Sequence, residues 1–166
     1  ISAGVITANF NRSQLKNSED EQKVDASGII ITETKDGNKY FEIYGETGHY
    51  SNDHSIATLN NVIGNFYKEN KVAMSFQSSK GTYDENTGAI TLYDNTYIVL
   101  EDGTSLNTDK LTWFGNGKET VADGHVVIKK NRDMIATAQK GIIDANYEKF
   151  KIIGKTNTKI FSDKEK

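Results

Sequence analysis

Three histidines, no cysteine and a scatter of carboxylates are the raw material for chemistry in this chain of 166 residues. The stretch DENTG, Asp84 to Gly88, has the opening Asp-x-Asn-x-Gly of a calcium loop. An EF-hand loop also needs glycine at position six and a bidentate glutamate at position twelve, where this chain has Ala89 and Asn95. A β-turn is therefore the better reading. His49 and His54 lie five residues apart, and His125 has no second ligand at metal spacing, so no metal is expected. There is no G-x-S-x-G elbow to activate a serine and no glycine loop to cradle a phosphate. The expectation is a protein without a catalytic residue or a cofactor.

Composition narrows the partners. A net charge of −3 without a basic cluster argues against nucleic acid, whose phosphates select a concentrated positive face. Absence of cysteine removes disulfides and thiolate chemistry together and fits cytosol or periplasm equally. No run of about 18 apolar residues is present to cross a membrane as a helix.

The elements that must carry any function are strands. From Ser27 onward, runs rich in Ile, Val, Thr, Tyr and Phe alternate with turn pairs at Asp36-Gly37, Asp102-Gly103 and Asn116-Gly117 and with DENTG. The best helix candidate, HSIATLNNVIGNFY, breaks its period at Asn60-Asn61 and Gly64. The fold class is all-β. Ahead of these strands, NRSQLKNSEDEQK (Asn11 to Lys23) is polar and lacks alternation, so residues 1–26 read as a linker or mobile arm. ISAGVI is too short for a signal segment and is compatible with the stub of a removed anchor. Residues 162–166 read as a polar tail after a domain spanning 27–161.

The strands repeat. Lys80, Lys110 and Lys140 are spaced by thirty residues, followed by Gly81, Leu111 or Gly141 and then by Tyr83, Trp113 or Ile143. Asp94-Asn95, Asp123-Gly124 and Gly154 recur as turn-like interruptions further along each unit. A unit of two strands cannot bury its own apolar face, so several must share one interior, as a sandwich or an elongated barrel. Alternation places Phe41, Ile43, Met74, Phe76, Ile90, Leu92, Ile98, Leu100, Val126, Ile128, Phe150 and Ile152 on one face, with Glu42, Thr91, Lys129 and Lys151 on the other.

Four segments, YFEIYGETGHYS, SSKGTYDENTGAITL, GTSLNTDKLTWF and VADGHVVI, resemble successive segments of the LptC family, the periplasmic component of the lipopolysaccharide-export ABC transporter. The likeness runs from Ser27 to Ile160; the related LptA-like soluble bridge shares the repeat and is the nearest alternative. Phe41, Ile43 and Gly45, together with the polar arm, favour the LptC side. The resemblance implies a twisted, open β-jellyroll whose interior holds the acyl chains of lipopolysaccharide. Tyr50, Leu59, Leu106, Trp113 and Ile143 join the residues on the inward face as its implied lining. It implies two assembly edges. The N-terminal one, with Gly28, Ile29, Ile30 and Ile31, would meet the transporter subunits. The C-terminal one, with Ile152, Ile153, Gly154, Thr156, Thr158 and Ile160, would meet the soluble bridge. Gly124 enters as a determinant of assembly. Strand addition is the physical mode, and unpaired edges also allow head-to-tail self-association. The implied location is the periplasm, with attachment to the inner membrane by an N-terminal helix absent from this chain. Lys129, Lys130, Arg132 and Lys155 are candidates for lipid phosphates at the rim.

A competing reading is a carbohydrate-binding jellyroll, which needs a platform of outward aromatics. Tyr40, Tyr44, Tyr67, Tyr93 and Tyr97 are the residues available for it.

Overall fold

The computed structural model describes residues 3–10, 26–130 and 133–160. They form ten strands: β1 (Ala3–Phe10), β2 (Ala26–Lys35), β3 (Asn38–Tyr50), β4 (Ile56–Lys68), β5 (Lys71–Asp84), β6 (Ile90–Leu100), β7 (Ser105–Trp113), β8 (Thr120–Lys130), β9 (Met134–Ile143) and β10 (Phe150–Ile160). Each strand pairs antiparallel with the next, in the order β1 to β10. The result is a single meander in the form of an open, curled sheet, the β-jellyroll that the family resemblance implied.

Turn chemistry explains why neighbours pair in this register. Asp36 and Gly37 both have positive φ, as do Glu69 and Asn70, which is the backbone of a two-residue hairpin matched to strand twist. The second of these turns carries no glycine signal, and the sequence reading passed over it. Asn70 joins the two hairpins: its Oδ1 accepts from Lys39 N at 3.0 Å and its Nδ2 donates to Asn38 Oδ1 at 3.0 Å. DENTG is a turn, with Asp84 Oδ1 accepting from Asn86 N at 2.9 Å and Thr87 N at 3.3 Å. The segment around Asn60-Asn61 and Gly64 is strand β4.

The sheet curls because three strands carry an extra residue at the same height. Register slips by one at Asp94-Asn95 of β6, at Gly124-His125 of β8 and after Ile153 of β10. Positive φ at Asp94, Asn95, Gly124, His125 and Gly154 marks these bulges, and a bulge bends its strand. The bend brings two transverse rows together. One row runs Phe41, Phe66, Met74, Leu100; the other runs Tyr83, Ile90, Trp113, Thr120, Ile143, Phe150. Along β5, Met74 and Tyr83 are separated by about 30 Å of extended strand. Yet the ring of Phe41 lies 5.5 Å from that of Tyr83 and 5.3 Å from that of Trp113. The two halves of the sheet therefore pack face to face like a sandwich whose corners are the bulges.

One expectation about the N-terminus changes. Ala3–Phe10, placed by the sequence reading in a polar arm, is strand β1 and pairs with β2 from Ala3↔Thr34 to Phe10↔Ala26. The segment AGVITANF is a single short strand, so it showed neither the repeat nor a turn pair that would announce it. Asn11 to Lys23 and the tail 162–166 lie outside the described residues.

Candidate functional site

The inward stripe is the candidate site. Phe41, Ile43, Leu59, Met74, Phe76, Ile90, Leu92, Ile98, Leu100, Leu106, Trp113, Val126, Ile128 and Ile143 are all buried, and Tyr50, Phe150 and Ile152 are partly buried against them. Alternation put them there: in β6 the buried positions are 90, 92, 96, 98 and 100, while Val99 is intermediate and Tyr97 exposed. Ile31, Val62, Phe66, Tyr83, Leu111 and Tyr147 belong to the same interior. The stripe crosses every strand from β2 to β10, which is the shape an extended apolar chain requires.

Aromatic rings concentrate where the two rows meet. Phe66 stacks on Tyr147 with centroids 6.4 Å apart and planes at 21°, and approaches Trp113 at 5.0 Å and Phe76 at 5.1 Å. The indole of Trp113 donates from Nε1 to Tyr147 Oη at 2.8 Å. Burial raises the Tyr147 phenol above its ordinary value despite that hydrogen bond. Tyr83 is raised as well, by burial first and by the carboxylate of Glu33 second. Tyr50 is pushed up to about 12 by burial, with the charge of Glu85 adding to it. Burial is the largest cause of all three shifts.

Sequence reasoning missed Tyr147. It comes from the loop between β9 and β10, where period-two alternation says nothing. Its signal was Asp144, which precedes it by three residues and organises the loop. Asp144 Oδ1 accepts from Glu148 N at 2.6 Å and Lys149 N at 2.9 Å, and the Asp144 carbonyl accepts from Tyr147 N at 3.0 Å. Tyr147 is thereby held at a φ of 60°, in the left-handed region, with its ring turned inward.

Buried hydroxyls on β5 and β7 face the bulges of β6 and β8. Ser78 Oγ lies 2.6 Å from Tyr93 O and 3.1 Å from Lys80 O; Thr108 Oγ1 lies 3.2 Å from Asp123 O and 3.3 Å from Lys110 O. Thr120 Oγ1, opposite Trp113 in the ladder, is the one buried side-chain polar atom among the described residues without a hydrogen-bond partner.

The edges differ in part from expectation. Gly28, Ile29, Ile30 and Ile31 lie in β2, which is covered by β1 on one side and β3 on the other, so the N-terminal edge is β1. Ile152, Ile153, Gly154, Thr156, Thr158 and Ile160 lie in β10, the C-terminal edge strand. Gly124 is on neither edge. It occupies the bulge of β8 between β7 and β9, at a φ of 90°, where a Cβ would come within 2.8 Å of Asp109 Oδ2. Its positive φ and this close approach belong to a corner of the sheet.

Of the tyrosines available to a sugar platform, Tyr40 packs against the core, and Lys39 and Lys110 cover the rings of Tyr67 and Tyr93 at 5.3 and 5.8 Å. Tyr44 and Tyr97 are exposed but sit on β3 and β6, with two strands between them. Lys129 and Lys130 are exposed at the end of β8, while Arg132 lies outside the described residues.

With this geometry in view, the comparisons are direct. The family described as "Lipopolysaccharide-assembly, LptC-related" matches residues 1–163. The chain belongs to the LptC family. Its fold is shared with LptH, the LptA-homologous periplasmic component of the lipopolysaccharide transport device of Pseudomonas aeruginosa, at a TM-score of 0.55 and 10% identity, over 69% of this chain and 82% of that one. A comparison with curated proteins finds no match. Family membership places the chain in lipopolysaccharide transport, within a family that is periplasmic and associated with the inner membrane.

Proposed function

We propose that this protein receives lipopolysaccharide from the inner-membrane ABC transporter and passes it to the soluble periplasmic bridge through the interior of its jellyroll. The observation that carries this reading is the predominantly apolar inward stripe that runs from β2 to β10 in a sheet whose two edge strands do not pair with each other. Each methylene removed from water contributes about 0.8 kcal/mol, so a stripe of this length holds several acyl chains firmly. The polar head stays outside, which keeps transfer possible.

In this reading β1 joins the transporter and β10 joins the bridge, each by main-chain pairing along a free edge. Anchoring by an N-terminal membrane helix belongs to the same proposal. The inward side chains are packed against one another, so lipid entry separates the row of Phe41 and Phe66 from the row of Tyr83 and Trp113.

Adjacent residues on opposite faces of β6 provide the test. Ile98 is buried and Val99 faces the other way. A photo-crosslinking residue at position 98 captures lipopolysaccharide, and the same residue at position 99 does not. Equal capture at both positions, or none at either, counts against an interior path.

A further inference from the structure

Resting on the interior path just proposed, we infer that Trp113 and Thr120 form a polar anchor for the acyl linkage of a bound lipid, and that Tyr147 is the plug occupying this anchor when no lipid is present. Three observations converge on it. The indole N–H of Trp113 is a buried donor whose partner, Tyr147 Oη, comes from a loop rather than from the sheet. Thr120 is fully buried directly across the ladder from Trp113, and its hydroxyl has no partner. Tyr147 itself is held in the left-handed region by the hydrogen bonds of Asp144, a conformation that a bulky side chain adopts only when its surroundings enforce it.

An orphaned buried hydroxyl is costly, and a native structure that retains one calls for a reason. Here the reason is a ligand that brings its own acceptor. An aliphatic chain needs no polar contact, but the ester or amide carbonyl that joins it to a headgroup does when it enters a dry interior. Trp113 and Thr120 are cross-strand neighbours, both buried on the inward side, so in this proposal withdrawal of Tyr147 frees an N–H beside an O–H, a pair that one carbonyl oxygen with two lone pairs can accept from. Loop 144–149 is suited to withdraw because it contributes one aromatic side chain to the core and no strand to the sheet. The ligand class is therefore a lipid with an acyl ester or amide, recognised at the linkage as well as along the chain.

The single tryptophan makes the test site-specific. Trp113 emission is followed while the full chain is titrated with dibrominated methyl stearate, and separately with a dibrominated alkane of equal length that lacks the carbonyl. In the wild type the ester quenches at a lower concentration than the alkane. Tyr147→Phe keeps the ring but leaves Trp113 unpaired in the closed state, so its midpoint for the ester falls by about fivefold or more, corresponding to the loss of one hydrogen bond. Asp144→Ala, which does not touch the aromatic cluster, shifts the midpoint the same way. Thr120→Val raises the thermal midpoint, because it removes the orphan, while narrowing the preference for ester over alkane to what the Trp113 N–H alone supplies. Circular dichroism confirms that each variant is folded.

Quenching at the same concentration in wild type, Tyr147→Phe and Asp144→Ala overturns the plug. An unchanged preference in Thr120→Val overturns the anchor. No quenching of Trp113, with lipopolysaccharide still captured at position 98, overturns this inference and leaves the interior path standing; no quenching and no capture overturns both.

Discussion

Ser78 and Thr108, thirty residues apart, make the same backbone contacts one unit apart: each hydroxyl lies among three carbonyls, those of residues 80, 93 and 94 for Ser78 and of residues 110, 123 and 124 for Thr108. Every acceptor is displaced by the same thirty residues as the donor. The sequence repeat is therefore a repeat of corners as much as of strands. A bulge leaves carbonyls without ladder partners, and one buried hydroxyl per corner serves them. In the third unit the corresponding residue is Ala138, which pairs near the bulge of the edge strand β10.

Replacing Thr108 by valine removes the hydroxyl while nearly preserving shape. It destabilises the protein by about 1–3 kcal/mol, because the carbonyls of Asp123 and Gly124 lose a buried donor. Urea unfolding reads this as a lower midpoint with an unchanged slope. An unchanged midpoint would show that the corner is held by backbone geometry alone.

Gly124→Ala separates a corner residue from an edge residue. Positive φ and the approach to Asp109 predict a loss of about 1–2 kcal/mol in stability. Binding to the soluble bridge, measured per folded molecule by calorimetry, stays unchanged because β8 is internal. Weakened binding by a fully folded variant would restore Gly124 as a partner contact.

Successive backbone donors on an edge strand point alternately to the neighbouring strand and to the open side. Asn157 and Thr158 pair with Thr137 and Ala136 of β9, so one of Asn157→Pro and Thr158→Pro removes a donor from the sheet and the other removes one from the free edge. Only the variant that removes the donor of the free edge blocks bridge binding while leaving the melting temperature nearly unchanged. Bridge binding by both folded variants would exclude pairing along this part of β10.

His125 Nδ1 lies 2.6 Å from Asp109 Oδ2 across the β8 bulge, and this hydrogen bond, with the charge of the carboxylate, raises the histidine pKa. A raised folded-state value means that protonated His125 favours the folded protein. The contribution is fully present below the unfolded value of about 6.5 and is lost as pH rises through the higher folded value. Both groups are exposed, so the effect is small. An NMR titration places the His125 midpoint above that of free histidine, and Asp109→Asn returns it toward the ordinary value. Equal midpoints in the two proteins would remove Asp109 as the cause.

Local rules in the sequence determined the strands from β2 onward, the inward face and the thirty-residue unit. Alternation is a property of the strand itself, so Ile90, Leu92, Ile98 and Leu100 could be assigned inward without knowing what they meet. Turns with Asp, Asn and Gly were legible for the same reason, and so was the absence of a helix at Asn60-Asn61. The family resemblance, rather than periodicity, supplied lipid and partners. Tertiary structure alone decided which inward residues touch. Phe41 meets Tyr83 and Trp113 because register slips at Asp94-Asn95, Gly124-His125 and Gly154 fold one half of the sheet over the other. It alone decided that β1 covers β2, that Gly124 is a corner, and that Tyr147 fills the space beside Trp113. Those facts depend on pairing and bending across residues far apart in the chain, and alternation along any one strand carries no information about them.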